Sequence, residues 1–207
     1  YLLEHISKII LMKIPDAIII GTTTAGEILN GKMLHESIVI SFSIFNQTYL
    51  KSIHLVGDDS EALGYTAAQT IVDKDTKCVI MFADGLQRIG DDILRGFNRG
   101  SLQDVIVAGG MSGDNNIMHA TYCIHGTTIF QGGIVAVALA NPELEVFHTY
   151  NLSWHPIGRE MTITQAKGNI VYQINYLPVL DVYEHYLGEN VVSNMPGSMI
   201  EFPLIYH

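Results

Sequence analysis

Val105-Ile106-Val107-Ala108-Gly109-Gly110-Met111-Ser112-Gly113-Asp114 follows the pattern of Ile18-Ile19-Ile20-Gly21-Thr22-Thr23-Thr24-Ala25-Gly26-Glu27 at an offset of 87 residues. In each string a β-branched apolar run reads as a strand. It passes into small residues and closes on a glycine followed by an acid. Working outward, 37–42 (SIVISF) lines up with 133–138 (GIVAVA) at an offset of 96, and 50–55 (LKSIHL) with 144–149 (LEVFHT) at an offset of 94. A helical pattern precedes each copy. Matched Gly-acid steps in matched loops argue for an internal duplication, because apolar runs alone align easily. The repeated order is helix, strand, loop, strand, strand.

The remaining elements follow from periodicity and punctuation. Leu2, Leu3, Ile6, Ile9 and Ile10 keep helical spacing up to Pro15. Buried strands are expected at 17–20, 78–83 and 105–108, and an alternating strand at 37–44, with 49–56 antiparallel to it. Asp59 or Ser60 suits the start of a helix running to about Val72, and Asp91 and Asp92 suit the start of a helix over 91–98. Beyond residue 120 the pattern becomes antiparallel, with strands expected at 120–125, 128–139, 145–152, 161–166 and 170–174. A helix over 176–186 carries Pro178 in its first turn and stops at Gly188; 190–207 reads mostly as loop. The fold class expected is mixed α/β (α+β), internally duplicated, with an extended antiparallel sheet in the second half.

Composition excludes several function classes. The 207 residues are 48% hydrophobic and only 15% charged, which predicts broad buried sheets or a surface covered by a partner. The net charge of −10, with 11 basic residues scattered singly, argues against nucleic acid and anionic membrane as partners. No apolar run reaches the ~18 residues of a spanning helix, and no signal peptide is legible. Cys78 and Cys123 lie in no CxxC or Cys/His spacing, so they read as reduced, buried thiols of a cytoplasmic protein, with no metal site and no cofactor.

The two small-residue loops are the candidate ligand site. Gly21, Thr22, Thr23 and Gly26 in the first, and Gly109, Gly110, Ser112 and Gly113 in the second, let a ligand approach the backbone and present N–H and hydroxyl groups. Glu27 and Asp114 are placed to hold an ammonium group. That cradle suits an amino acid. The competing reading is that both strings are tight strand exits whose acids cap local backbone. Trp154, the single tryptophan, sits in 151–159 (NLSWHPIGR), either as a lid on a pocket or in a hinge between halves.

Nucleophilic and metal chemistry find little support. Ser112 in GMSGD lacks the second glycine of a nucleophile elbow, position 114 being Asp. The histidines form no HxH or HExxH spacing. His125, before Gly126, is open to two readings: an axial haem ligand, or a hydrogen-bonded histidine at a strand end. No catalytic set emerges, so the chain is read as a binding module and not an enzyme.

Several motifs taken in order resemble the FIST family, whose name stands for F-box and intracellular signal transduction proteins. They are IIIGTTTAGEI at 18–28, VIMFADGL at 79–86, VIVAGGMSGD at 105–114, GGIVAVALANPELEV at 132–146, SWHPIGREMTITQAKGNIVYQI at 153–174 and PVLDVYEHYLG at 178–188. The resemblance implies an amino-terminal FIST part over 1–150, truncated at its start, and the beginning of a carboxy-terminal FIST part over 151–207. It also implies a bacterial-type sensory input domain, without a shared catalytic set. Its expected partners are a small-molecule ligand and an output domain in the same polypeptide or operon, namely a chemoreceptor, a histidine kinase or a cyclic-di-GMP enzyme. A homo-oligomer is compatible with this reading. The alternatives it leaves are a haem-binding gas sensor and a protein-interaction scaffold without a small ligand.

Overall fold

The computed structural model describes residues 2–115, 117–149 and 155–205. The chain divides into two compact units, Tyr1–His148 and Thr149–His207.

In the first unit the core is built over one sheet. Four strands, β4 (Tyr49–Val56), β5 (Thr76–Ala83), β6 (Ile106–Met111) and β9 (Gly133–Ala140), lie in the order β4-β9-β5-β6. β9 is antiparallel to both neighbours, and β5 runs parallel to β6. Every residue of β9 is buried, as its unbroken apolar sequence requires of a strand covered on both faces. Ile134, Ala136 and Ala138 of β9, with Val79 and Met81 of β5, face helices α2 (Ser60–Ile71) and α3 (Gly90–Gly100). Val137 and Leu139 point to the opposite face, against Ile20, Leu50, Ile80 and Leu144.

α2 starts where Asp59 Oδ1 accepts the Ala62 N–H at 2.9 Å, an N-cap bond. It packs on α3 at backbone distance: a Cβ on Gly64 would stand 1.9 Å from the Ile93 carbonyl oxygen, and one on Gly96 1.9 Å from that of Glu61. Leu63, Ala67, Ala68 and Ile71 meet Ile93 and Phe97 across this seam. Arg99 and Arg95 reach Glu61 at its rim, where exposed pairs contribute about 0–1 kcal/mol.

The first quarter of the chain is built differently. Helix α1 (Leu2–Lys13) buries only Ser7 among its described residues. Strand β1 (Ile20–Thr22) is half-buried, and Ile18 is exposed. β1 pairs antiparallel with β7 (Cys123–His125), which continues to β8 (Thr128–Phe130). The buried strand expected over 17–20 is therefore shorter, later and less covered. β2 (Glu27–Leu29) and β3 (Lys32–Leu34) make a hairpin. Its Asn30-Gly31 turn, both residues at positive φ, is a hairpin signal legible in the sequence that the reading above passes over. Among the described residues, 37–44 join no sheet. Its expected partner, β4, pairs with β9 instead. The segment 145–149 likewise forms no strand, and the expected strand over 128–139 is two, broken at Gln131-Gly132.

Two of the sequence offsets also relate these elements, whereas β4 shifted by 94 falls on 143–150, of which the described residues 143–149 form no strand. Shifted by 87 positions, α1 falls on 89–100, against the observed α3 at 90–100. Shifted by 96, β2 and β3 fall on 123–125 and 128–130, which are β7 and β8, and 37–44 falls on 133–140, which is β9.

In the second unit, β10 (Ile163–Lys167), β11 (Ile170–Ile174) and β12 (Leu177–Pro178) form an antiparallel meander. Helix α4 (Val179–Leu187) follows, with Pro178 at its N-cap and Gly188 at φ 88° ending it. Val182, Tyr183 and Ile174 are buried, and the Tyr183 hydroxyl donates to the Phe202 carbonyl at 2.8 Å. A short helix, α5 (Glu189–Ser193), and a 3-10 turn (Gly197–Ile200) occupy part of the region read as loop.

Candidate functional site

The two small-residue loops touch. The Gly113 N–H donates to the Thr23 carbonyl at 2.9 Å, and Thr22 Oγ1 donates to Ser112 Oγ at 2.6 Å. A Cβ at position 113 would sit 3.0 Å from the Ala25 nitrogen, so a side chain there requires the first loop to give by a few tenths of an ångström. Gly109 is required more strictly: its φ is +145°, and a Cβ would stand 1.8 Å from the Met81 carbonyl oxygen of the neighbouring strand. Gly110 is exposed with open space before it. Gly21 lies in β1 against Ile124, and Thr23 exchanges two bonds with the Tyr122 backbone, one through its N–H and one through its hydroxyl oxygen. Trp154 lies outside the described residues.

The loops stand at the carboxyl ends of β1, β5 and β6, where parallel strands leave backbone groups to be satisfied. Asp84, directly after β5, does most of this. It is fully buried, and Oδ1 accepts from the Leu86 and Gln87 N–H groups at 2.9 Å each and from the Thr121 hydroxyl at 2.8 Å. Oδ2 accepts the Gly132 N–H at 2.6 Å. Burial pushes its pKa up, but the Gly132, Gln87 and Leu86 N–H groups and the Thr121 hydroxyl outweigh it, and the carboxyl stays below the ordinary aspartate value. Ser112 is buried beside it. Its hydroxyl donates to the Ala83 carbonyl at 2.9 Å and lies 3.5 Å from Cys123 Sγ. Its proton therefore serves the end of β5, and no imidazole or carboxylate is among its described partners. Burial raises the Cys123 thiol pKa, which suits a structural cysteine.

The two loop acids are tied locally. Glu27 Oε1 accepts the Thr24 hydroxyl at 2.8 Å and Oε2 the Ser37 hydroxyl at 2.7 Å. The Ser37 and Thr24 bonds hold its carboxyl below the usual range. Asp114 accepts three backbone N–H groups, from Met118, His119 and Ala120, the His119 bond at 2.6 Å doing most to lower its pKa. A carboxylate offers about four lone-pair directions. Glu27 keeps more of them free than Asp114 does.

His125, the last residue of β7, bridges to β4 of the four-stranded sheet. Its Nδ1 is 2.7 Å from His54 Nδ1 and its Nε2 is 2.9 Å from Ser52 Oγ. Both ring nitrogens are thus engaged, and an axial bond to iron would displace one partner. Burial, then the neighbouring His54, lowers its pKa. Among the described residues no three His, Cys, Asp or Glu side chains group as metal ligands, and no helix is long and apolar enough to cross a membrane. Asp84, Thr121 and the His54–His125 pair were not singled out as a set by sequence reasoning. The Asp84-Gly85 step after a strand is the one local signal for them.

A shallow groove lined by Lys77, Asp104, Val105, Ile106, Leu144 and Val146 lies at the start of β6, the end remote from the loops. The FIST N domain matches residues 1–176, most of the chain. The chain belongs to the FIST family. FIST domains are sensory domains of signal transduction and not a known enzyme family. No curated protein and no solved structure matches the chain. In this FIST domain the matched residues take in both loops, the Asp84 anchor and the β10–β11 hairpin.

Proposed function

We propose that this FIST domain is a sensory input module whose two small-residue loops hold a small polar ligand, an amino acid being the class that fits best, and that occupancy is passed to a linked output domain. The observation that carries the reading is the Gly113–Thr23 contact: two loops, repeats of each other, meet at strand carboxyl ends with Gly110 exposed beside them. Exposed Gly110 offers close backbone approach to a carboxylate. Glu27, ionised and with lone pairs to spare, is the acceptor for an ammonium group; Asp114 assists from a position already fixed by its own loop. Coupling needs only that ligand bind one arrangement of the loops better than another.

A thermal-shift panel of the twenty amino acids and haemin tests this. A ligand that binds only the folded state stabilises it by about 2.7 kcal/mol at a hundredfold excess over its Kd. An amino-acid hit that Glu27→Gln weakens about 10- to 100-fold, the worth of one charged hydrogen bond, is the expected result. A hit unaffected by Glu27→Gln removes the ammonium contact. A hit with haemin alone moves the site to the histidines.

A further inference from the structure

Arg88 is a buried cation whose neighbours leave it short of acceptors. Its side chain is 7% exposed. Nη1 donates to the Asp58 carbonyl at 2.8 Å, and among the described residues the buried Nε has no partner. Its counter-ion is Asp58, whose carboxylate lies 3.6 Å from Nη2 and is itself fully exposed. A guanidinium carries five N–H donors in a planar fork. A buried donor left unpaired is costly, and a buried charge more so.

The surroundings add positive charge. Arg88 precedes Ile89, the N-cap of α3, and its contact Asp58 precedes Asp59, the N-cap of α2. The guanidinium thus spans the starts of helices of 12 and 11 residues. Ser60 Oγ accepts the Ile89 N–H at 3.1 Å and ties the two starts together, and α3 has no side-chain cap of its own. The partial positive charge of a helix start disfavours a cation and favours an anion. The other acids of these segments are committed. Asp59 caps α2 at Ala62, and Asp84 accepts four donors, none of them from Arg88. Asp91 and Asp92 pair with Arg95, and Glu61 pairs with Arg95 and Arg99. Gly132, at φ +66°, lies against the fork: a Cβ there would stand 3.3 Å from Nη2 and 3.0 Å from Gln87 Oε1.

We infer that Arg88 is an oxyanion site: a carboxylate or phosphoryl group of a ligand takes the place of the Asp58 carboxylate, accepts from the guanidinium fork and lies at the start of α3. Asp58 is then a competing acceptor, exposed and able to give way. The loop that carries Arg88 packs on the second small-residue loop, Gly85 against the Ser112 carbonyl and Gly90 against Met111 Sδ. The site stands on Arg88 and not on the Glu27 contact proposed above.

The test is calorimetric titration of the 207-residue chain with sodium phosphate and with sodium acetate, each against sodium chloride at matched ionic strength. Saturable binding of either anion is the expected result, the tighter one marking a phosphoryl or a carboxylate ligand. Arg88→Lys, which keeps the charge and loses the fork, is expected to weaken it about 10-fold. Asp58→Asn is expected to tighten it about 2- to 5-fold, the worth of an exposed ion pair. An arginine that only supports the fold gives a different pattern for Asp58→Asn, a lower melting temperature with no tightening. That pattern overturns the inference. So does the absence of saturable binding by both anions, or binding that Arg88→Lys leaves unchanged. Asp58 is fully exposed, so its variant decides the matter even where Arg88→Lys fails to fold.

Discussion

The second repeat of the first unit is a finished core, and the first repeat carries the same pattern with much of its apolar surface uncovered. Both have the helix, the strand into a Gly-acid loop, the hairpin and the apolar run. In the second, β9 lies between β4 and β5 under two helices, and every residue of it is buried. In the first, 37–44 is uncovered and α1 buries one serine. A pattern of residues thus specifies what an element is ready to bury. Whether it is buried depends on what lies across from it.

The largest effect that can break this comparison comes from one charge placed in each copy. Ala136→Asp puts a carboxylate at a fully buried position without a partner and is expected to cost upwards of about 4 kcal/mol or prevent folding. Ile40→Asp, at the same repeat position, is expected to change stability by less than about 0.5 kcal/mol. Urea unfolding of the two variants reads the difference. Equal costs would mean that 37–44 is packed in solution.

Next comes the anchor of the second repeat. Asp84→Ala leaves four donors without an acceptor and is expected to cost about 3–5 kcal/mol. The same carboxylate gives an acid dependence. Its folded pKa lies below the ordinary value of 3.8, so its contribution is full above that value and is lost as pH falls through the lower folded pKa. Melting temperatures below pH 4 should fall more steeply in the parent chain than in Asp84→Asn.

The helix seam sharpens the comparison at smaller scale. Gly96→Ala must move α3 away from the Glu61 carbonyl and is expected to cost about 2–3 kcal/mol. Ile9→Ala, its counterpart on α1, should cost less than about 1 kcal/mol. The smallest effect concerns the contact between the sheets. His125 is held neutral by burial and by His54, so stability is full above its ordinary pKa of 6.5 and declines as pH falls below it toward the lower folded value. His125→Gln should flatten the melting temperature between pH 7 and pH 5. An unchanged slope would show that His125 does not titrate with unfolding.

Much of this was legible in the chain, and the limits have physical causes. α2, α3 and β5 announce themselves locally: Asp59 caps, Asp91 and Asp92 start, and TKCVIMFA has the length and composition of a buried strand. The loops that meet at Gly113 and Thr23 were found from their repetition. The roles of their acids were not, because Asp114 has equally good partners in an ammonium ion and in the three N–H groups that follow it. Pairing was misread where β4 was given 37–44, its neighbour in sequence. Every strand presents the same donors and acceptors, so adjacency in the chain is a poor guide once a strand crosses to another sheet.

The sequence by itself determined most of the elements, the matched loop pattern and the family, since these rest on periodicity, caps, glycine placement and motif order, while 37–44 and 145–149, read as strands, form none. Only the tertiary structure decided which strands pair, that Asp84 gathers four donors from three segments at the strand ends, that His54 meets His125, and that 133–140 is covered and 37–44 is not. Those outcomes depend on groups tens of residues apart competing for the same partners, and no local pattern records who wins.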